Sequence, residues 1–366
     1  MSHMSHSSTN KDRIAWIDLL ETIAIFMVVL YHSRFYISDI IGLGSLGTYV
    51  NYFFNTTLAV SVPLFFFVNG YLLLSKKFDF KRHLRKIIKL TLITLIWYGI
   101  TLAWLVFLHR EWLEMGGLGA VLNAVKSGIN HLWFMGALIC IYLFFPLLKI
   151  VYDQNKKVFL YFTIICLIFT IGNTLLNEVL TVGSQLLSRP HIFHEYNFFN
   201  IFNPFRGIYG YSFTYFCLGG ILYKYIDCIK HISARNRNLL ALGLLLLGCF
   251  GLFGVGVVYS RMGNEEWNVM WNGYDTIFTM LNVAGLLLLS LNFQKASRLI
   301  TLISRNTLGI YLTHMLFVEL LRPVAGQIQF FHSFGGNMIY ALGILVISLL
   351  FVGLIRKIPL LRNLVA

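Results

Sequence analysis

The chain has 366 residues, of which 57% are hydrophobic and 12% charged, with a formal net charge of +14. Soluble domains carry about 25% charged residues, so a soluble globular protein is excluded and the chain reads as a polytopic membrane protein. The positive charge would suggest nucleic acid in a soluble chain. Here Lys and Arg sit mostly in short segments between apolar stretches, so topology accounts for them and no nucleic-acid partner is expected.

The opening MSHMSHSSTN reads as part of a disordered leader over residues 1–13, leaving 14–366 as the membrane domain. Ten stretches of about twenty residues follow, the length a bilayer core requires. They fall at 15–36, 57–75, 87–108, 131–151, 158–176, 209–226, 238–259, 273–292, 303–321 and 337–356. The sixth and ninth are the most diluted by Tyr, Ser, Asn and Gly. With the N-terminus inside, the cytoplasmic segments hold 22 Lys and Arg and the outer loops hold 6. That asymmetry predicts both termini on the cytoplasmic side of the membrane. The expected fold class is an all-α bundle of about ten transmembrane helices.

The first span, IDLLETIAIFMVVLYHSR from Ile17 to Arg34, carries Asp18, Glu21 and His32 among hydrocarbon side chains. At about 100° per residue, Glu21 and His32 lie roughly 20° apart around a helix, with Asp18 roughly 40° beyond. One polar stripe results. A charge facing lipid costs about 2.5–3.5 kcal/mol, so the stripe should face the protein interior or a wet cavity. A structural pairing with neighbouring helices is the plainer explanation. Glu21 should lie near the cytoplasmic side, and His32 roughly 16 Å further out.

Pro63 in the second span and Pro146 in the fourth predict kinks. The loop between spans two and three holds Lys76, Lys77, Lys81, Arg82, Arg85, Lys86 and Lys89. Topology and attraction to anionic membrane lipid explain the number. The sharper reading is a phosphate site for a coenzyme A thioester, with Arg82 and Arg85 on one helical face clamping phosphates. The fourth span opens outside with Asn130-His131-Leu132-Trp133-Phe134, which sets His131 at the depth of His32. Tyr311 and His314 fall near mid-membrane in the ninth span. Each histidine alone could be a satisfied core residue. Three in one bundle, beside the helix 1 stripe, point to a reactive centre.

Gly248, Gly251, Gly254 and Gly256 in the seventh span predict close helix packing. The longest outer loop, about 177–208, holds Arg189, His191, His194, Glu195 and Arg206, and suits a lid, a sugar-stacking surface or an interfacial belt. His191 and His194 have no third ligand, so no metal is expected. Gly42-Leu43-Gly44-Ser45-Leu46-Gly47 spells a dinucleotide fingerprint but lacks the strand and βαβ unit that motif requires. The five cysteines form no CxxC pair and no disulfide framework.

These motifs together resemble the membrane-bound acyltransferase family 3, over nearly the whole chain from Ile14. The resemblance rests on Trp16-Ile17-Asp18 through His32, Val62-Pro63-Leu64-Phe65-Phe66-Phe67-Val68-Asn69-Gly70-Tyr71, and Arg82-His83-Leu84-Arg85. It continues through His131-Leu132-Trp133-Phe134, Phe216-Cys217-Leu218-Gly219-Gly220 and Gly309-Ile310-Tyr311-Leu312-Thr313-His314. It implies an O-acyltransferase that moves an acetyl or other short acyl group from cytoplasmic acyl-coenzyme A to a hydroxyl of an envelope glycan or lipid-linked sugar. His32 would be the general base or a transient acyl carrier, with Glu21 and His131 beside it in the catalytic set. Asp18, Arg82, Arg85, Trp133, Tyr311 and His314 would bind substrate.

The family's helix 1 reads Arg, ten residues, His. The His falls on His32, but the Arg position falls on Glu21, and the usual Ser before the second-span glycine is Asn69. Three consequences stand open: Arg82 or Arg85 folds toward Glu21 and supplies the cation, or donor chemistry differs, or activity is lost. The rival from another class is a glycan or lipid-precursor transporter with the stripe as proton relay. Oligomeric state is not legible.

Overall fold

The computed structural model describes residues 13–108, 130–187, 203–205, 207 and 209–365. The leader and the outer-loop residues Arg189, His191, His194, Glu195 and Arg206 lie outside the described residues, as does any test of a lid there. The described chain is all-α, with no strand among the described residues, and it is a polytopic membrane protein.

Each of the ten expected stretches falls on a helix. α1 runs Ala15–His32. The second span is α2 (Leu46–Thr57), a 3₁₀ turn at Leu58–Val60 and α3 (Ser61–Leu74) in one apolar run. α4 (Phe80–Leu108) and α5 (Trp133–Gln154) follow. α6 (Lys156–Leu167) continues through a π-helical stretch, Ile168–Gly172, into α7 (Asn173–Leu186). Then come α8 (Tyr211–His231), α9 (Ala234–Gly263), the short α10 (Val269–Asn272) and α11 (Ile277–Ser290). The chain closes with α12 (Arg298–Arg305), α13 (Thr307–Ala325) and α14 (Phe334–Lys357). Ser45, Asn155, Ser233, Thr276, Ser297 and Ser333 cap their helices by accepting from backbone N–H groups.

Several boundaries differ from the sequence reading. The second span begins eleven residues early, at Leu46, because Ser45 caps a helix there. Pro63 sits in the first turn of α3, where its missing N–H costs no helical bond, and the break takes the form of the 3₁₀ turn before it. α5 continues through Pro146 as one helix. The ninth span starts at Thr307, since Asn306 separates it from the distinct α12.

Eight of the spans are long and apolar enough to cross a bilayer by length and composition. α8 is long enough but diluted by Tyr, Thr and Lys. α11 has 14 residues, about 21 Å at 1.5 Å per residue, against a core of about 30 Å. The chain before it is α10 and a stretch of turns, with Met270 and Tyr274 buried. Non-helical backbone at membrane depth is tolerated where it is buried in protein or lines a cavity, and this segment does line one, as shown below.

Two glycine motifs hold the bundle's centre. A Cβ on Gly70 of α3 would lie 1.9 Å from the Phe216 carbonyl oxygen, and one on Gly219 of α8 2.0 Å from that of Phe67. The two backbones are therefore in contact, which only glycine allows. Gly70→Ala or Gly219→Ala is expected to force α3 and α8 apart and to destabilise by about 1–3 kcal/mol or more. Unfolding in detergent, compared with Gly99→Ala where nothing lies within 4 Å, checks this. The expected packing role of the α9 glycines holds for Gly248 and Gly251 against Asn282 and Phe278, and for Gly256 against Tyr52, but not for Gly254, which meets nothing within 4 Å.

The described termini lie at one end. The Arg13 guanidinium reaches Ser304 Oγ at 2.6 Å, and Arg356 donates to the carbonyls of Arg305 and Val365 at 3.2 and 3.3 Å.

Candidate active site

The polar stripe of α1 divides between two centres. At its C-terminal end, His32 meets two other histidines. The 3₁₀ turn Asn130–Leu132, just before α5, carries His131; α13 carries His314. The three rings form a triangle, with centroid separations of 6.3 Å (His32–His131), 5.3 Å (His32–His314) and 5.7 Å (His131–His314). His314 is fully buried, and its Nδ1 lies 2.6 Å from the Tyr311 carbonyl and 3.2 Å from that of Ile310. A ring nitrogen facing carbonyls carries the proton, so Nε2 is left as the bare acceptor. That buried Nε2 has no hydrogen-bond partner among the described residues. The Tyr311 hydroxyl donates to the His131 backbone carbonyl, which ties α13 to the turn that presents His131.

His32 and His131 line a cavity of about 220 Å³, the outer one in the orientation that the Lys/Arg pattern predicts, together with Tyr31, Trp133, Trp271, Tyr274 and Tyr311. His314 does not line it. Trp133 stacks on Tyr209 with centroids 4.6 Å apart and an interplanar angle of 11°. Trp271 comes from the short α10 and Tyr274 from the turns that join it to α11. Sequence patterning missed this pair because Trp271 precedes the predicted span 273–292 and a four-residue helix followed by turns carries no periodic signal.

The other end of the stripe is a buried ionic cluster. Asp18 is 2% exposed and its carboxylate accepts from Arg13 (2.5–3.1 Å), from Ser304 Oγ (2.9 Å) and from Thr301 Oγ1 (3.2 Å). Glu21 Oε2 lies 2.5 Å from Ser304 Oγ and 3.9 Å from Arg13 Nη2. The cation beside Glu21 thus comes from Arg13, ahead of the helix, and not from Arg82 or Arg85, which are exposed on α4. That expectation is corrected. A residue ahead of the helix such as Arg13 falls outside any periodic pattern, and Ser304 lies on α12, where only the fold brings it to α1.

Glu21 also lines an inner cavity of about 350 Å³, with Asn69, Lys86, Lys89, Tyr142, Thr307 and Tyr311 as its other polar residues. Lys86 Nζ donates to the Tyr142 hydroxyl at 3.1 Å, and that hydroxyl lies 3.3 Å from Asn69 Oδ1. Positions 82, 85, 86 and 89 repeat at helical spacing, so Arg82 and Arg85 continue the cavity-lining face of Lys86 and Lys89 outward by one to two turns. Phe134 and Tyr311 line both cavities.

The sequence-derived candidates are therefore brought together in two groups. His32, His131, Trp133 and Tyr311 meet at the outer cavity with His314 behind them. Glu21 faces the inner cavity, while Asp18 is engaged by protein donors at the edge of an open basic cleft with Lys295, Arg298 and Arg305. No group of three or more His, Cys, Asp or Glu suited to a metal ion occurs among the described residues.

A family model described as an acyltransferase domain matches residues 14–357. No curated protein and no solved structure matches the chain.

Proposed function

The chain belongs to acyltransferase family 3, and from that premise we propose that it is an acyl-coenzyme A-dependent O-acyltransferase of the plasma membrane, both termini cytoplasmic, acting on a hydroxyl of an envelope glycan or lipid-linked sugar. The observation that carries this reading is the pair of back-to-back cavities. One holds a cationic face suited to an anionic donor; the other holds two imidazoles suited to an alcohol.

In this reading the donor phosphates engage Arg82 and Arg85 at the cytoplasmic end of α4. The thioester enters the inner cavity past Lys86 and Lys89, whose ammonium groups and the Tyr142 hydroxyl can meet its polar arm. The acceptor hydroxyl sits in the outer cavity against His32 and His131, with Trp133 offering an aromatic face to a sugar ring. His32 takes the hydroxyl proton as the oxygen attacks the thioester carbonyl. The C–S bond breaks, and the proton passes to the departing thiolate, giving an ester and free coenzyme A. The alternative sequence has His32 attack first, releasing coenzyme A and holding the acyl group until the hydroxyl takes it. His131 shares the cavity and orients the same hydroxyl. His314, with its tautomer fixed by two carbonyls, is a positioning residue behind His32. Asp18 acts by holding Arg13 and α12 in place.

The test uses purified protein in liposomes with labelled acetyl-coenzyme A and an envelope glycan fraction. Label should pass to glycan with stoichiometric release of thiol. Transport of glycan without thiol release would replace this reading with a transporter.

The donor site makes a second expectation. Arg82→Glu with Arg85→Glu should raise KM for acetyl-coenzyme A by tenfold or more while leaving kcat within a few-fold, since charge-assisted hydrogen bonds contribute about 1.5–3 kcal/mol each. Lys76→Glu with Lys77→Glu, on the same loop, is the control. Equal effects of the two pairs would leave only general attraction to a basic surface.

A further inference from the structure

We infer that the Phe134–Tyr311 ring pair is the septum between the two cavities and sets the length of acyl group that crosses it; the inference rests on the acyltransferase reading. These two side chains line both the inner and the outer cavity. Their rings meet edge to face, with centroids 5.4 Å apart at 64°. They are 8% and 7% exposed, so each is packed into the wall and not free in either space.

The two halves of the septum are held differently. Tyr311 is tied by its hydroxyl to the His131 carbonyl, the residue that shares the outer cavity with His32. Displacing Tyr311 would disturb the histidine centre itself. Phe134 has no such tie. Its ring packs against Phe65 and Phe66, with centroids at 5.8 and 5.0 Å, and these contacts are non-directional. Phe134 is therefore the half that yields. An acyl carbonyl arriving from the cytoplasmic side has to pass this ring to reach a hydroxyl at His32. A short acyl group asks little displacement of it. A longer one must lie where the ring packs, so the septum selects for short acyl donors.

The length preference then belongs to one side chain and can be moved. Phe134→Ala should raise the ratio of kcat/KM for hexanoyl-coenzyme A to that for acetyl-coenzyme A by about tenfold or more, the range by which pocket methylenes discriminate. Phe134→Leu should fall between, and Phe134→Trp should slow acetyl transfer. The acceptor in each assay is the same envelope glycan fraction.

A second measurement reads the barrier without turnover. Val28 lines the outer cavity on α1. In a background with the five cysteines changed to serine, Val28→Cys is exposed to a charged thiol reagent from the cytoplasmic face of inverted vesicles. Labelling should be slow with Phe134 and at least about tenfold faster with Phe134→Ala. An unchanged donor ratio in both Phe134→Ala and Phe134→Leu overturns the inference, and so does a labelling rate that ignores Phe134. If labelling responds but the parent protein moves no acyl group from any donor, the acyltransferase reading is what fails, and Phe134 is a barrier in a protein of another function.

Discussion

His32→Ala is expected to lower acyl transfer by about 10²–10⁴-fold, the contribution a positioned general base makes. His32 ends α1, and its ring stands at the corner of the histidine triangle that opens on the outer cavity. The substitution removes an imidazole without touching the α3–α8 contact that holds the bundle. Thiol release and label transfer should fall together, while the protein elutes and melts as the parent does. His131→Ala should cost less, because His131 lines the same cavity but leaves His32 in place. His314→Ala should cost least in rate and act through His32: its ring lies 5.3 Å from that of His32 and outside the cavity wall. If His32→Ala keeps the parent's turnover, the triangle is packing and the reacting centre is elsewhere. The same assay separates the two routes. Acid-quenched label on the protein, lost in His32→Ala, marks an acyl carrier. Its absence during steady transfer favours proton removal alone.

What could be read from the chain depended on how local the cause was. The spans were legible because twenty-residue apolar runs and Lys/Arg loops are properties of consecutive residues. The α1 stripe was legible because one helix fixes the angles among Asp18, Glu21 and His32. Depth along separate spans set His131 at the level of His32, whose rings lie 6.3 Å apart, but it put His314 nearer mid-membrane, and only the fold brings that ring to 5.3 and 5.7 Å from the other two. Illegible were the contacts that fold assembly alone creates. Ser304 reaches Glu21 across 283 positions of sequence. Lys86 and Lys89 turn out to line the inner cavity, whereas composition showed only a basic loop. The short α10 and the turns after it bring Trp271 and Tyr274 to the outer cavity, which no periodicity announces. The division of one stripe into two chemically distinct ends was also hidden, because angle around a helix says nothing of what stands opposite.

The departure at Glu21 has its physical answer in Arg13, and this sets a large expected effect on stability. Arg13 is the cation of a cluster in which Asp18 is 2% exposed and Glu21 18%, while Arg13 itself is 32% exposed. Removing one partner of a buried pair costs about 3–5 kcal/mol because the other charge is left uncompensated. Water reaches Arg13, so Arg13→Ala should fall lower, at about 2–3 kcal/mol. Asp18→Asn should cost about 1–2 kcal/mol, since Ser304 and Thr301 can still bond the amide oxygen and Arg13 keeps Glu21 as a partner. The double variant should cost less than the sum, with a coupling of about 1–2 kcal/mol. Equilibrium unfolding in mixed micelles measures all three. Glu21→Gln in the Arg13→Ala background should recover part of the loss by removing the second uncompensated carboxylate. Glu21→Arg, although it restores the family's pattern, should destabilise: Arg13 already occupies Asp18, and a second guanidinium would meet it at close range. Additive costs for Arg13→Ala and Asp18→Asn, within about 0.5 kcal/mol, would mean that Arg13 is solvated and that the cation of this site lies elsewhere.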